Sequence, residues 1–212
     1  MNRGGLVSLP AREDHSQLRL ILLRHGQPTE NTRGRCYGRL DIGLSSEGRE
    51  QIRSKIPLVQ CLQPGAIYSS TAKRAIESAE EIGHVLNLEA KLSRELCEID
   101  FGTFEGMSYQ EIEARYPQEY KQWMTHPTKL KFPGGESFEE MRRRALSFGA
   151  YLLRTHQRQT VLAVSHGGVN RVFLAEAMRL TEENLFRIDQ AYAAVNIIDY
   201  YRDFALVRLV NA

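Results

Sequence analysis

The sequence has few cysteines, and they lie far apart. Cys36, Cys61 and Cys97 are the three cysteines among 212 residues, and none belongs to a CxxC pair. Secreted domains held by disulfides carry larger, even sets of cysteines. An odd, sparse set therefore argues against a disulfide framework and favours a reduced, cytoplasmic protein.

An excess of one charge and long apolar runs are also absent. Lys and Arg number 28 against 26 Asp and Glu, a net charge of +2, which does not favour nucleic acid or an anionic membrane as a main partner. Apolar runs such as residues 20–23 are far shorter than the ~20 residues that span a bilayer. The first 17 residues lack the apolar segment of a signal peptide, and we expect a flexible N-terminal arm there.

The rest of the composition is that of a globular protein. Hydrophobic residues make up 42% of the chain and charged residues 25%, and this length suits one domain. We expect a single domain over residues 18–212, with a helical insert at about residues 105–137.

Strand and helix patterns alternate along most of the chain, which predicts a three-layer α/β fold with a mostly parallel central sheet and helices on both faces. Strands are predicted at residues 18–23, 66–69, 160–165, 192–201 and 204–210. Helices are predicted at residues 47–62 with Ser46 as the cap, 71–86, from the capping box at Ser137 to about 156, and 169–179, with weaker pieces at 109–116 and 119–124.

Polar residues follow three of the predicted strands. Arg24 and His25 end the first, Ser69 and Ser70 the second, and Ser165 and His166 the third. Ligands of such sheets bind beyond the carboxyl ends of the strands. The sequence therefore predicts two histidines at one rim of the sheet.

The loop after the first strand is cationic. Between Arg24 and Arg39 it holds four arginines and one acid, Glu30. A solvated basic loop is the simple interpretation. The position directly after a buried strand favours a site, because guanidinium groups match a phosphate face and an imidazole can attack phosphorus. Gly26 would let a ligand approach the backbone.

Three sequence blocks together resemble the histidine phosphatase superfamily, the phosphoglycerate mutase-like group. The first runs from Leu23-Arg24-His25-Gly26 through Asn31, Arg35 and Gly38, with Gln27 where many members have Glu. The second is Ser69-Ser70-Thr-Ala-Lys-Arg74-Ala75, and the third is Ser165-His166-Gly167-Gly168.

The resemblance implies roles for these residues. His25 would be the nucleophile that forms a phosphohistidine, and Arg24, Arg74 and His166 would surround the phosphoryl oxygens. Glu98 would be the proton donor and acceptor, with Glu95, Asp100 and Glu105 as competitors. Substrate-binding positions would be Asn31, Arg35, Tyr37, Gly38 and Gly167. No metal or other cofactor is implied.

Other features have simpler interpretations. The run Arg142-Arg143-Arg144 reads as a solvated helix face, and Cys36 as a small pocket residue. The expected partner is a small-molecule phosphomonoester, and the expected assembly is a monomer or homodimer.

The finer resemblance is to the α-ribazole phosphatase branch, carried by residues 36–41, 100–106 and 133–137. It implies hydrolysis of α-ribazole 5′-phosphate in cobalamin biosynthesis. The alternatives are a mutase-like enzyme, a broad-specificity sugar phosphatase, or a non-catalytic phospholigand-binding protein. Ile99 argues against a mutase, in which a basic residue follows the acid.

Aromatic residues of the insert could stack on a base-like group or merely pack the insert; they are Tyr109, Tyr116, Tyr120, Trp123 and Phe132.

Overall fold

A mixed six-stranded sheet forms the centre of the computed structural model, which describes residues 15–29 and 34–212. The strands are β1 (Leu18–Arg24), β2 (Ala66–Ser70), β3 (Ala90–Ser93), β4 (Gln159–Ser165), β5 (Val195–Tyr200) and β6 (Ala205–Leu209). The helices are α1 (Ser46–Cys61), α2 (Lys73–Leu86), α3 (Tyr109–Arg115), α4 (Pro117–Thr125), α5 (Phe138–Thr155) and α6 (Gly167–Met178).

The strand order is β3-β2-β4-β1-β5-β6. The first four strands in this order are mutually parallel, whereas β5 and β6 run antiparallel to their neighbours. β4 lies between β1 and β2, and Arg24 pairs in register with Ser165. The carboxyl ends of these three strands therefore meet at one rim.

Side chains on the two faces of the sheet enter separate cores. Leu18, Leu20 and Leu22 of β1 pack into the core formed with α5, α6 and the α3–α4 region. Ile21 and Leu23 pack into the second core, with α1 and α2. The alternation follows from the two-residue period of a strand, and the predicted three-layer fold is confirmed.

Several element boundaries differ from the predicted ones. Ser45, not Ser46, caps α1, and its hydroxyl accepts the Gly48 amide at 3.0 Å. The strand β3 was not predicted. The capping box at Ser137 is confirmed, since its hydroxyl accepts the Glu140 amide and the Glu140 carboxylate accepts the Ser137 amide.

The predicted arm lies mostly outside the described residues, which begin at residue 15. Ser16 is buried, and the Gln17 amide donates to the Tyr200 carbonyl at 2.7 Å. Backbone contacts with the sheet therefore begin before β1. Within the described part of the chain, no helix is both long and apolar enough to cross a membrane.

Candidate active site

Two histidine rings lie together at the rim formed by β1 and β4. His25 follows β1 and His166 follows β4, where it is the N-cap of α6. Their ring centroids are 5.0 Å apart, and both side chains are buried. The strand pairing thus joins two residues that the sequence separates widely.

Arg74 connects the two rings. This residue lies in the first turn of α2 and is fully buried. Its Nε donates to His25 Nε2 and its Nη2 to His166 Nδ1, both at 3.3 Å. The same guanidinium donates to the carbonyls of Tyr37, Gly38 and Leu40. Its position is therefore fixed by five acceptors.

These contacts fix the proton positions on both rings. A carbonyl only accepts, so His25 Nδ1 donates to the Gly26 carbonyl at 2.7 Å and Nε2 keeps its lone pair. His166 Nδ1 accepts from Arg74, so its Nε2 donates to Ser70 Oγ at 2.8 Å. Burial, reinforced by the charges of Arg74 and Arg24, lowers the pKa of His25 well below its usual value. Burial and Arg74 do the same to the pKa of His166.

Arg24 lies beside the histidines with an unused donor. Its Nη1 donates to the Gln190 carbonyl, and its guanidinium carbon lies 4.2 Å from the centroid of the Tyr192 ring. Its Nε is buried and, among the described residues, has no hydrogen-bond partner. A buried unpaired donor is costly, so a bound anion would satisfy this group.

Tyr192 is a site residue that the sequence analysis did not identify. Its ring centroid lies 5.8 Å from that of His25, and its hydroxyl is 2.6 Å from the Tyr37 hydroxyl. Tyr37, a predicted binding residue, also faces Arg74, whose guanidinium carbon lies 5.2 Å from its ring centroid. Tyr192 thus packs against Arg24, and Tyr37 packs against Arg74.

Glu98 reaches across to the start of α6. Its Oε2 accepts the Gly168 amide at 3.0 Å and its Oε1 accepts the Ile99 amide at 2.9 Å. A Cβ on Gly168 would clash with Oε1 of this carboxylate. The glycine therefore creates the space that Glu98 occupies.

The competing acids are engaged elsewhere. Glu105 accepts the amides of Gly38, Arg39 and Phe101, and so shapes the loop around Arg74. Asp100 accepts the Gly102 amide at 2.8 Å. Glu95 accepts the Ser93 hydroxyl at 2.6 Å.

These side chains enclose a cavity of about 140 Å³. It is lined by Arg24, His25, Arg74, Glu98 and His166, together with Arg35, Cys36, Tyr37, Phe101 and Tyr109. All five predicted catalytic residues thus face one space. Burial raises the pKa of the Cys36 thiol to about 12, as suits a packed pocket residue.

The other predicted binding residues have varied positions. Arg35 donates to the Gly106 carbonyl at 2.7 Å. The Gly38 amide donates to the Glu105 carboxylate, and the Gly38 carbonyl accepts a hydrogen bond from Arg74. Gly167 lies against Arg24. Asn31 lies outside the described residues.

Two expectations need correction. A Cβ on Gly26 would clash with the Gly48 carbonyl, so this glycine makes room for α1 and not for a ligand. Arg144 does not share a solvated face with Arg142 and Arg143, because it is mostly covered and donates to three backbone carbonyls.

Most aromatic side chains of the predicted insert pack against one another. Trp123 and Phe132 are buried, with ring centroids 5.2 Å apart, and Phe104 joins them. Tyr116 packs on Phe104, with centroids 5.2 Å apart. Of the five predicted aromatics, Tyr109 lines the cavity. Packing of the insert therefore explains Trp123, Phe132 and Tyr116.

A metal site would need several ligating side chains close together. The described residues contain no group of three or more His, Cys, Asp or Glu side chains that could hold a metal ion.

Comparison with known proteins identifies relatives over nearly the whole chain. Residues 20–212 match the family model of the histidine phosphatase superfamily (branch 1). The chain is 36% identical to phosphoserine phosphatase 1 of Hydrogenobacter thermophilus, over 70% of this chain and 71% of that protein. It is 33% identical to a bifunctional protein of Mycobacterium tuberculosis over 91% of its own length, but spans 53% of that protein.

A solved structure shares the fold. The α-ribazole phosphatase of Shigella flexneri superposes with a TM-score of 0.83 at 26% identity, covering 92% of this chain and 96% of that one. The resemblance seen in the sequence is thereby confirmed at the level of the family. The chain is a phosphatase that belongs to branch 1 of the histidine phosphatase superfamily.

Proposed function

We propose that this phosphatase hydrolyses small phosphomonoesters through a phosphohistidine on His25, without a metal ion. The observation that carries the proposal is the state of His25. Its Nδ1 proton is held by the Gly26 carbonyl, so the lone pair of Nε2 lies at the Arg74 guanidinium inside the cavity. A neutral imidazole among cationic donors is a nucleophile beside an anion site.

The first step transfers the phosphoryl group to the enzyme. The ester phosphate binds among Arg24, Arg74 and His166 and replaces the 3.3 Å contact between Arg74 Nε and His25 Nε2. His25 Nε2 attacks phosphorus, forming the N–P bond as the P–O bond to the alcohol breaks. Arg24 Nε, buried without a described partner, supplies one donor to the phosphoryl oxygens.

Glu98 would move the protons in both steps. It donates a proton to the departing alkoxide, and the resulting carboxylate then removes a proton from water. That water attacks phosphorus, the N–P bond breaks, and phosphate leaves with His25 neutral again. A carboxylic acid donates through one oxygen and still accepts through its remaining lone pairs, so the Gly168 and Ile99 contacts are compatible with both states.

For the substrate, we propose α-ribazole 5′-phosphate, and hence a cytoplasmic role in cobalamin biosynthesis. The motifs of the α-ribazole phosphatase branch and the likeness to the Shigella flexneri enzyme support it. The cavity accommodates a small group such as the phosphoryl. Tyr109 and Phe101 line it and offer flat faces to the rest of such a substrate.

A second candidate is a phosphorylated amino acid or hydroxy acid. The relative named phosphoserine phosphatase 1 is 36% identical, which favours it over a mutase. Ile99 is buried, and no basic side chain occupies that position. A monomer or homodimer remains the expected assembly for either substrate.

A substrate panel in excess EDTA tests the proposal. Turnover of α-ribazole 5′-phosphate, phosphoserine, 3-phosphoglycerate and glycerol phosphate is compared for the wild type and His25→Ala. We expect EDTA-resistant hydrolysis, highest kcat/KM for α-ribazole 5′-phosphate, and no turnover by the variant. Activity lost with EDTA would contradict metal independence, and a preference for phosphoserine would favour the second candidate.

A further inference from the structure

We propose that Arg144 is a positioning residue, which holds the Glu98 segment at the active site and is itself held by Glu136. The inference rests on the proposed function, because it assumes that Glu98 transfers protons. It extends that proposal to a residue of α5 that does not line the cavity.

The Arg144 guanidinium joins α5 to the backbone around Glu98. Its Nη1 donates to the carbonyls of Glu95 at 2.8 Å and Cys97 at 2.5 Å. Its Nη2 donates to the carbonyl of Glu98 itself at 3.0 Å. One side chain thus binds three carbonyls within four consecutive residues.

Glu136 fixes that side chain from the opposite direction. Its two carboxylate oxygens accept Arg144 Nε at 2.7 Å and Nη2 at 2.8 Å. The side chains of Arg144 and Glu136 are 17% and 14% exposed, so this two-point ion pair is largely shielded from water. Such pairs fix orientation as well as distance.

Glu136 also binds the residues that follow Glu98. Its amide donates to the Asp100 carbonyl at 2.9 Å, and its Oε2 accepts the Asp100 amide at 3.3 Å. The pair therefore holds the backbone on both sides of Glu98. The residues around Glu98 do not form a strand. A 3₁₀ turn at Arg94–Leu96 is followed by extended backbone at Cys97.

The backbone from Glu95 to Glu98 lies outside the strands and α-helices. Backbone carbonyls outside regular structure need donors from elsewhere, and Arg144 supplies them. The Glu98 carboxylate must meet both the Gly168 amide and the alcohol oxygen of the substrate. Proton transfer requires contact distances of about 2.6–3.2 Å, and a displacement of about 1 Å can lower the rate roughly 10²-fold.

The test compares Arg144→Lys with Glu98→Gln and with both changes together. Lysine keeps the charge but cannot make the planar set of contacts. kcat/KM is measured for glycerol phosphate, whose alkoxide needs a proton, and for p-nitrophenyl phosphate, whose leaving group does not. Arg143→Lys is the matched control, since Arg143 pairs with exposed Glu139 on the same helix.

We expect Arg144→Lys to lower kcat/KM about 10²-fold for glycerol phosphate and only a few-fold for p-nitrophenyl phosphate. The control should retain wild-type values. Adding Arg144→Lys to Glu98→Gln should cause no further loss, because the two residues act as a unit. Equal losses on both substrates, or multiplying losses in the double variant, would overturn the proposal.

Glu136→Gln provides a second route if Arg144→Lys does not fold. This variant retains the three carbonyl acceptors of Arg144 but weakens its ion pair with residue 136. We again expect a larger loss of kcat/KM for glycerol phosphate than for p-nitrophenyl phosphate. If Glu98→Gln itself affects both substrates equally, the proton-transfer role of Glu98 fails. If Glu98→Gln is selective but neither Arg144→Lys nor Glu136→Gln is, only the positioning role fails.

Discussion

At the scale of single residues, burial and neighbouring charge decide how the two histidines behave. Burial removes both imidazole rings from water, and both lie beside the Arg74 guanidinium. Protonation of either ring is therefore disfavoured. The placement that would keep His25 nucleophilic in the proposed mechanism should therefore lower stability when the pH falls.

The first prediction concerns that pH dependence. In the unfolded chain both histidines take up protons near pH 6.5, whereas in the folded protein they stay neutral to lower pH. The unfolded state then binds more protons, so the free energy of unfolding falls as the pH drops below about 6.5. Each histidine contributes a slope of about 1.4 kcal/mol per pH unit in this range.

Urea unfolding of the phosphate-free protein between about pH 5 and 7.5 measures this slope. The variants His25→Gln and His166→Gln should each flatten it, and the double variant should flatten it most. Slopes that are identical in the wild type and the double variant would show that neither imidazole is held neutral.

The second prediction concerns Gly168. A methyl group there would clash with Glu98 Oε1 and displace the carboxylate from the α6 amide. We expect Gly168→Ala to lower kcat/KM for alkyl phosphates about 10²-fold, with a smaller effect on p-nitrophenyl phosphate. Steady-state kinetics on both esters checks this, with Gly65→Ala as the control because its Cβ would meet open space. Unchanged kinetics for Gly168→Ala would mean that the position of Glu98 is unimportant.

Residues at strand ends were predictable, and residues that act through others were not. His25 and His166 follow apolar runs, so sequence alone places them at the rim. Arg144 has no such signal in the sequence, because it follows two other arginines and its carbonyl acceptors are brought to it by tertiary packing. Tyr192 likewise gains its place from the return of the chain towards β5.

At the scale of elements, α3 and α4 contribute exposed Tyr109 and buried Trp123 to a wall of the site. Tyr109 lines the cavity, and its ring centroid lies 5.5 Å from that of buried Trp123. The exposed ring can affect substrate binding, whereas the buried one supports the wall.

The third prediction separates these two roles. Trp123→Ala removes a buried ring, so the free energy of unfolding should fall by about 3–5 kcal/mol. Tyr109→Ala should change it by less than about 1 kcal/mol but raise KM for α-ribazole 5′-phosphate relative to glycerol phosphate. Urea unfolding and kinetics on the two esters measure both effects. A Tyr109→Ala enzyme with equal KM changes for both substrates would contradict recognition of an aromatic group.

Elements with strong periodicity were predicted, and short or irregular ones were missed. The apolar run of β1 and the capping box of α5 are local signals. The strand β3 has four residues at the sheet edge, with Lys91 and Leu92 exposed, so it lacks the alternation by which strands are recognised. Pro117 lies between the two helical pieces predicted at 109–116 and 119–124. It begins α4, a position where its missing N–H is harmless.

At the scale of the whole molecule, topology assembles the site. The parallel strands β1, β2 and β4 bring His25, Ser70 and His166 to one rim, and α2 places Arg74 between the rings. Strand and helix alternation was sufficient to predict this fold class. The strand order depends on tertiary packing and could not be predicted from local patterns.

The most direct test of this account is to trap the enzyme during turnover with ³²P-labelled substrate and rapid denaturation. We predict label on the protein that is lost in acid and kept in base, as expected for phosphohistidine, and that maps to His25 by mass spectrometry. His25→Ala should carry none. Label that survives acid and is lost in base, or that maps to a residue other than His25, would contradict the central claim.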